Sequence, residues 1–394
     1  MDVNLLRAIR LSKLRIEPTI KRQASKAPLR EKYMRYLRVL TPLAEIPYSL
    51  PNKFKWYLNG SIDRNSKTGA VYYELIEVGV EPSSIWHKEL NQKPVFKKFI
   101  WSFRRLYLVL GILIYRFKQL QKLDLASLQV VIGYMAYKSF FKSHPSLKPI
   151  IISDISPLLH MQWAGALAVS RQVIWWQDDY HHFEGFSEEN YSPYECGFAA
   201  VLNEYGYQTV KKKSPKAKVF RRKQTKVSPL REVPNPPKVG LATNVLFQAT
   251  PSELEEVQNL KKRLKLKKIL LRLHPNSKLH HTKSLPQWID VAEKSETLEE
   301  FAQRVDLVVV GNTAAQLKLL CLGVPVIHVN LFDSFGFDLY QYCRLGISYG
   351  VENPYKVNLE DVCKFYSDRF KPRSLQKYVD VQSKIAELKD FPKT

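Results

Sequence analysis

From about residue 128 onward the chain alternates between short apolar runs and stretches whose apolar positions recur at helical spacing. In the first part, Leu128 to Ile132, Pro149 to Ile152, Gln172 to Trp176 and Phe198 to Leu202 read as strands buried on both faces, because they are continuously apolar rather than alternating. A second series follows from Lys238-Val239-Gly240-Leu241-Ala242. Thr250-Pro251-Ser252-Glu253 has the form of a capping box with Pro at the first helical position, so a helix is expected to run to about Leu264. Strands are then predicted at Lys268 to Leu273 and Trp288 to Val291, a short helix near Thr297 to Arg304, and a strand at Asp306 to Val310. A Gly311-Asn312-Thr313 turn, a helix over Ala314 to Leu322 and a strand at Pro325 to Val329 complete the series. Repeated βαβ order predicts an α/β protein with doubly wound parallel sheets and a ligand crevice at the carboxyl ends of the strands.

The N-terminal part has a different texture. Residues 1–60 hold thirteen Lys or Arg against four acids, and Arg30 to Arg38 repeats apolar groups at helical spacing, which predicts a basic, amphipathic helical segment. Leu106 to Tyr115 is uncharged for ten residues between Arg104-Arg105 and Arg116, too short for a spanning helix, which needs roughly 20. It suits a buried helix or one lying in a membrane interface. No apolar run with a small-residue cleavage site follows Met1, so no export signal is predicted.

Between the two series of strands lies a basic stretch from Lys211 to Lys226 with no acid before Glu232, closed by Val233-Pro234-Asn235-Pro236-Pro237. It reads as a solvated linker, or as charge suited to a phosphate-rich ligand or membrane over the cleft between the domains, and sets the expected domains at 1–60, 61–232 and 233–394. The whole chain of 394 residues carries 61 Lys plus Arg against 37 Asp plus Glu, a formal +24, which asks for an anionic partner or location. With 45% hydrophobic and 12% aromatic residues, the chain is globular rather than disordered. Cys196, Cys321, Cys343 and Cys363 are far apart without a Cys-x-x-Cys pair, which fits a reducing, cytoplasmic compartment and argues against a structural zinc site.

Two turns at strand ends carry candidate chemistry. In Leu271-Arg272-Leu273-His274-Pro275-Asn276 an imidazole follows a buried strand, placed to donate to a phosphate oxygen or simply to pack in the turn. In Val310-Gly311-Asn312-Thr313-Ala314-Ala315-Gln316 small residues open a helix start to an anion, and Thr313 adds a hydroxyl. No Gly-x-Gly-x-x-Gly, no P-loop and no Asp-x-Asp occurs, so neither dinucleotide redox chemistry, P-loop hydrolysis nor a metal-dependent transferase of that kind is supported. No metal and no resident cofactor is expected.

The His274-Pro275 turn followed by the Thr313 turn, with Cys321-Leu322-Gly323-Val324-Pro325-Val326-Ile327, resembles the nucleotide-sugar half of GT-B glycosyltransferases over about residues 238–368. Within that class it is similar to the His-Pro and Ser/Thr motifs of bacterial sialyltransferases, polysialyltransferases and capsule-type transferases. The resemblance implies two Rossmann-like domains facing a cleft and an inverting, metal-independent transfer of a sugar from a nucleotide donor, CMP-linked by preference. It implies a saccharide or lipid-linked saccharide acceptor of a surface glycan, such as capsule, lipopolysaccharide or O-antigen. It also implies nucleotide binding by His274, Pro275, Gly311, Asn312, Thr313 and Ala314. A donor carrying UDP or GDP and a polyol-phosphate transferase are the alternatives.

The acceptor domain should supply a base. Trp175 to Gly185 packs Asp178, Asp179, His181, His182 and Glu184 into eleven residues after a strand, where a carboxylate or imidazole can take a proton from an acceptor hydroxyl. A structural polar turn is the alternative, and a metal site is a further one, although the adjacent His181-His182 pair lacks i, i+4 spacing. The family pattern is acidic-acidic-Gly; here Phe183 precedes Glu184-Gly185. Asp154 in Ser153-Asp154-Ile155-Ser156-Pro157 is a rival, or a helix cap. A nucleotide-sugar epimerase lacks support because no Arg-rich turn follows His274. A basic nucleic-acid-binding protein has the charge but no recognition module, so no specific nucleic acid is expected. The concentrated charge in 1–60, around 106–115 and in 211–226 predicts a peripheral position on the anionic inner face of the cell membrane.

Overall fold

The structure, a computed structural model, describes residues 4–10, 53–60, 62, 66–87, 125–153, 157–169, 172–180, 193–223, 225–244, 247–274, 277, 285–330 and 337–392. The chain forms two compact units, one of residues 1–178, 188–222 and 383–394, the other of 179–187 and 223–382. Each has its own parallel sheet, as the βαβ pattern requires.

In the first unit the strands β1 (Trp56–Leu58), β2 (Ile85–His87), β3 (Lys148–Ile152), β4 (Ile174–Trp176), β5 (Phe198–Val201), β6 (Lys218–Arg221) and β13 (Ala386–Glu387) form one sheet. Its order is β13-β6-β5-β4-β3-β1-β2, with every pair parallel. One face carries α1 (Lys67–Glu77), capped by the Ser66 hydroxyl, which accepts from Gly69 N–H. There Trp56, Leu58, Ile150, Ile152, Ile174 and Trp176 pack with Val71 and Leu75 of that helix. Phe391 closes this core, with its ring 5.5 Å from Trp56, 6.2 Å from Trp176, 6.3 Å from Phe198 and 5.4 Å from Phe220. Residues from Ser383 onward therefore belong with the first sheet, whereas composition had grouped them with 233–394.

Two readings of local structure are corrected here. Leu128 to Ile132 is not a strand but part of α2 (Leu125–Ser143), which packs against α3 (Pro157–Leu167). The run is apolar because this helix is buried on several sides, with Val130, Val131, Ile132, Tyr137 and Phe141 all inside, so no period distinguishes it from a buried strand. The basic stretch 211–226 is not a free linker. Lys211, Lys212 and Lys213 end α4 (Glu204–Lys213), where cations suit the negative end of the helix dipole, and Lys218 to Arg221 is strand β6. Its arginines are neutralised: Arg221 by Glu387, and Arg222 by Glu74 at 2.6 Å.

In the second unit β7 (Val239–Ala242), β8 (Ile269–Arg272), β9 (Ile289–Val291), β10 (Leu307–Val310), β11 (Val326–Val329) and β12 (Tyr349–Val351) are ordered β12-β11-β10-β7-β8-β9, all parallel. This is the doubly wound Rossmann order, with its reversal between β7 and β10. The three middle strands β11, β10 and β7 are buried throughout, while the edge strands β9 and β12 are half exposed, which matches their apolar and mixed sequences. The expected capping box forms, Thr250 with Glu253 starting α5 (Pro251–Arg263), and a second, not predicted, joins Thr297 with Glu300 at the start of α6 (Leu298–Gln303). α7 (Ala315–Cys321) follows β10, and α8 (Leu359–Lys364) and α9 (Pro372–Tyr378) follow β12.

The segment before β7 is fastened to this unit. Ser228 N–H donates to Cys321 C=O and Arg231 N–H to Gly323 C=O, both at 2.8 Å, and the Arg231 guanidinium caps the end of α6 through Ala302 C=O at 2.6 Å. Gly323 makes this possible: its φ is +80°, and a Cβ there would lie 2.3 Å from the Pro229 carbonyl oxygen. Gly346 also has a positive φ, +67°, but nothing lies within 4 Å of a Cβ. Gly323→Ala should therefore cost roughly 3 kcal/mol and Gly346→Ala about 1 kcal/mol, read as shifts of the urea midpoint at constant slope. Equal costs would show that the Pro229 contact is not what demands glycine.

Candidate functional site

The reversal of strand order brings three loops to one edge of the second sheet. Ala242 of β7 is registered with Val310 of β10 on one side and Arg272 of β8 on the other, so Thr243, Gly311 and Leu273 begin adjacent loops. Thr243 is buried, and its N–H donates to Arg272 C=O at 3.1 Å, which holds the loop after β7 against the end of β8. His274 is half-buried two residues beyond β8, with its carbonyl accepting from Ser277 N–H at 2.7 Å. The strands of His274 and Thr313 are separated by β7 alone, about 10 Å by strand spacing. These two residues thus lie at the same edge of the sheet; Pro275 lies outside the described residues.

The turn after β10 is held from below. Thr313 is half-buried; its hydroxyl oxygen accepts from Ala315 N–H at 3.3 Å, leaving its O–H proton as a donor to a ligand. The Asn312 carboxamide helps to hold the turn: its Oδ1 accepts from Leu339 N–H at 2.8 Å. Gly311 is buried and Ala314 half-buried, so the small side chains keep the backbone at the edge approachable.

Behind the turn lies a residue that sequence reasoning missed. His328, on β11, is 1% exposed. Asp338 N–H donates to its Nε2 at 3.2 Å, so the ring proton sits on Nδ1, 3.1 Å from the Gln316 amide oxygen, which accepts it. Both nitrogens are thereby engaged by the neutral ring, and burial pushes its pKa from 6.5 down to about 4, partly opposed by a hydrogen bond to the Gly311 backbone. The only sequence signal was a histidine inside the apolar run Val326-Ile327-His328-Val329. Asp338, with φ 53°, accepts from Cys343 N–H at 3.1 Å and Arg344 N–H at 2.9 Å; burial nevertheless raises its pKa. Arg272 ends β8 with its pKa lowered by burial and opposed by Glu296 and Glu299.

The acidic turn is divided. Asp178 belongs to the first unit, where its N–H donates to Ser153 Oγ at 2.8 Å and its carboxylate pairs with Lys67 at 2.8 Å. Asp179 belongs to the second, 7% exposed, with Lys318 of α7 at 3.9 Å. The Tyr180 carbonyl there accepts from the hydroxyls of Tyr342 at 2.8 Å and Tyr378 at 3.2 Å. The neighbouring carboxylates thus answer to two different lysines, which accounts structurally for part of the polar density. His181, His182, Glu184, Gly185 and Asp154 lie outside the described residues. Among the described residues no group of three or more His, Cys, Asp or Glu could hold a metal, and no helix is long and apolar enough to cross a membrane.

No protein-family description matches the chain, and no curated relative does. Among solved structures, it is similar to the UDP-GlcNAc 2-epimerase of Methanocaldococcus jannaschii in complex with UDP-GlcNAc and UDP. The identity is 11%, the match covers 82% of this chain and 96% of that one, and the TM-score is 0.45. It is similar also to CalG4, the calicheamicin glycosyltransferase, at 10% identity over 82% and 92% of the two chains, with a TM-score of 0.46. A third likeness is to the glycosyltransferase SnogD from Streptomyces nogalater, at 11% over 64% and 74%, TM-score 0.37. At these values the fold rests on the strand order of each sheet rather than on the neighbours.

Burial of His328 as a neutral ring has a pH consequence with a definite sign. Its folded pKa lies below the unfolded 6.5, so its contribution is complete above pH 6.5, falls as pH drops, and is lost once pH passes about 4. The loss amounts to about 3 kcal/mol at about 1.4 kcal/mol per pH unit. Urea titrations at pH 7 and pH 4.5 should show a steeper fall for the wild type than for His328→Gln; parallel falls would mean that His328 is not the group that titrates.

Proposed function

We propose that the protein is an inverting, metal-independent glycosyltransferase of the GT-B type, transferring a sugar from a nucleotide-sugar donor, CMP-linked by preference, to a saccharide acceptor of a surface glycan. The observation that carries the reading is the single crevice edge of the second unit, where the Rossmann reversal between β7 and β10 is flanked by His274 on one side and the Thr313 turn on the other. Such reversals are where α/β sheets bind ligands. A metal-free site must meet the leaving nucleotide's charge with fixed donors. The His274 imidazole and the Thr313 hydroxyl supply two, and the backbone N–H groups around Gly311 and Ala314 supply more. Asn312 supports this by holding the turn through Leu339, so its contribution is indirect.

The base remains among the residues of the acidic turn and Asp154. Of these, Asp178 already accepts from Lys67 and Asp179 lies near Lys318. In this reading the chain is peripheral to the anionic inner face of the cell membrane, where lipid-linked acceptors are within reach.

Calorimetric titration with CMP, UDP and GDP tests the donor. CMP should bind; tight binding of UDP or GDP without CMP would move the protein to another donor, and no binding of any of the three would end the nucleotide-sugar reading. His274→Ala and Thr313→Ala should each lower kcat/KM on the order of 100-fold with little change in thermal midpoint. Undiminished turnover in His274→Ala would take His274 out of the mechanism.

A further inference from the structure

The longest acid-free stretch flanking the crevice strands runs from Val257 to Ile289 and holds nine Lys or Arg. Six of these fall within eight residues: Lys261, Lys262, Arg263, Lys265, Lys267 and Lys268. They occupy the last turn of α5 and the turn into β8, at the amino end of the strand. That is the edge of the sheet opposite His274, Thr243 and Gly311, so this charge does not serve the nucleotide crevice. The helix dipole accounts for Lys261 to Arg263 in the last turn. It does not account for the cations beyond it.

The backbone of this turn sharpens the point. Lys265 N–H donates to Lys262 C=O at 3.1 Å and Leu266 N–H to Lys261 C=O at 3.0 Å, the paired bonds of a Schellman cap. Lys265 stands at the left-handed position with φ 53°, where glycine is the unstrained residue. Leu264 and Leu266 are buried on either side, so Lys265 and Lys267 are aimed outward by a rigid turn. Lys262, Arg263, Lys265, Lys267 and Lys268 are exposed, and among the described residues Lys268 is the one of these in an ion pair, with Asp290 at 3.1 Å.

Aromatic groups border the charge. Tyr355 is 50% exposed; its carbonyl accepts from Arg263 Nε at 2.9 Å and Nη2 at 2.6 Å, and its hydroxyl accepts from Asn259 at 3.2 Å. Lys261 Nζ lies 5.7 Å from the half-buried Trp288 ring. Exposed Glu352 and Glu360 lie near Tyr355 in sequence and limit the patch on that side. A compact knob of cations with an amphipathic aromatic beside it fits the headgroup layer of a bilayer. A nucleic-acid groove instead tracks a backbone along a line.

We propose that the α5–β8 turn, with Lys262, Lys265, Lys267 and Tyr355, is a docking surface for an anionic phospholipid membrane. It specifies the peripheral placement of the proposed function and is independent of the transfer reaction. The test is flotation of the full chain with vesicles of phosphatidylcholine alone and with about one-third phosphatidylserine, at physiological salt. The wild type should float with the anionic vesicles only. The variant Lys262→Gln/Lys265→Gly/Lys267→Gln should lose on the order of 100-fold in partition, about fivefold per cation, while its CMP affinity is unchanged. A control with Lys142→Gln, Lys216→Gln and Lys389→Gln, exposed cations of the first unit, should lose far less.

Lys265→Gly alone should raise the urea midpoint, because glycine relieves the left-handed backbone, yet weaken vesicle binding about fivefold. Improved stability with unchanged binding would overturn the proposal, as would equal loss from the two triple variants. So would oligonucleotide retention abolished by the patch variant while its vesicle binding stays at the wild-type level, an outcome that would assign the turn to nucleic acid. A wild type that ignores anionic vesicles would instead sink the peripheral placement itself.

Discussion

The pairing of β7 with β10 is the constraint on which the second unit depends. Because these strands are neighbours in the sheet but separated in sequence by α5, β8, β9 and α6, the connections on either side diverge and leave an opening at their carboxyl ends. Close packing makes the pairing possible. A Cβ on Gly240 would lie 2.6 Å from Phe301 Cζ, so α6 sits almost on the backbone of β7. The buried run Leu307-Val308-Val309-Val310 supplies the other half without a polar side chain to satisfy. The placement of His274 and Thr313 at one edge is inherited from this arrangement, since the strands before them flank β7.

The opening is stiffened by polar groups, an unusual choice for a core. His328, Gln316, Asp338 and the Asn312 side chain tie the turn after β10 to the segment around Leu339. A buried polar network is favourable only when its members are paired, and the neutral imidazole lets one ring donate at Nδ1 and accept at Nε2. An apolar residue at 328 would fill the space but leave the Asp338 N–H and the Gln316 amide oxygen without this partner. The network holds the turn after β10 in place through three hydrogen bonds.

What was legible in the sequence was local. The capping box of Thr250 with Glu253 acts within four residues, and it formed. The inner strands of the second unit were equally plain, because a parallel sheet buried on both faces needs uninterrupted apolar runs, whereas the half-exposed edge strand β12 has no such run and was missed. Leu128 to Ile132 failed for the same reason: a helix buried on several sides is also an uninterrupted apolar run, and its length becomes decisive only when Leu125–Ser143 is seen whole. The basic stretch 211–226 looked like linker because its charge partners, Glu74 and Glu387, are remote in sequence. Remote partners also hid the site. Nothing in Gln177-Asp178-Asp179-Tyr180 announces that its carboxylates answer to Lys67 and Lys318, and nothing in Val326 to Val329 announces that His328 supports the Thr313 turn.

The aromatic closure around Phe391 bears on the order in which the molecule is made. Its ring packs on Trp56, Trp176, Phe198 and Phe220, and β13 pairs with β6, yet both come after Gln382, where the second unit is already complete. During synthesis the unit that begins first is therefore finished last. Its sheet must wait, with an aromatic face uncovered, through the synthesis of the entire second unit. That interval makes the nascent chain, rather than the folded protein, the state in which its exposed aromatic surface calls for protection.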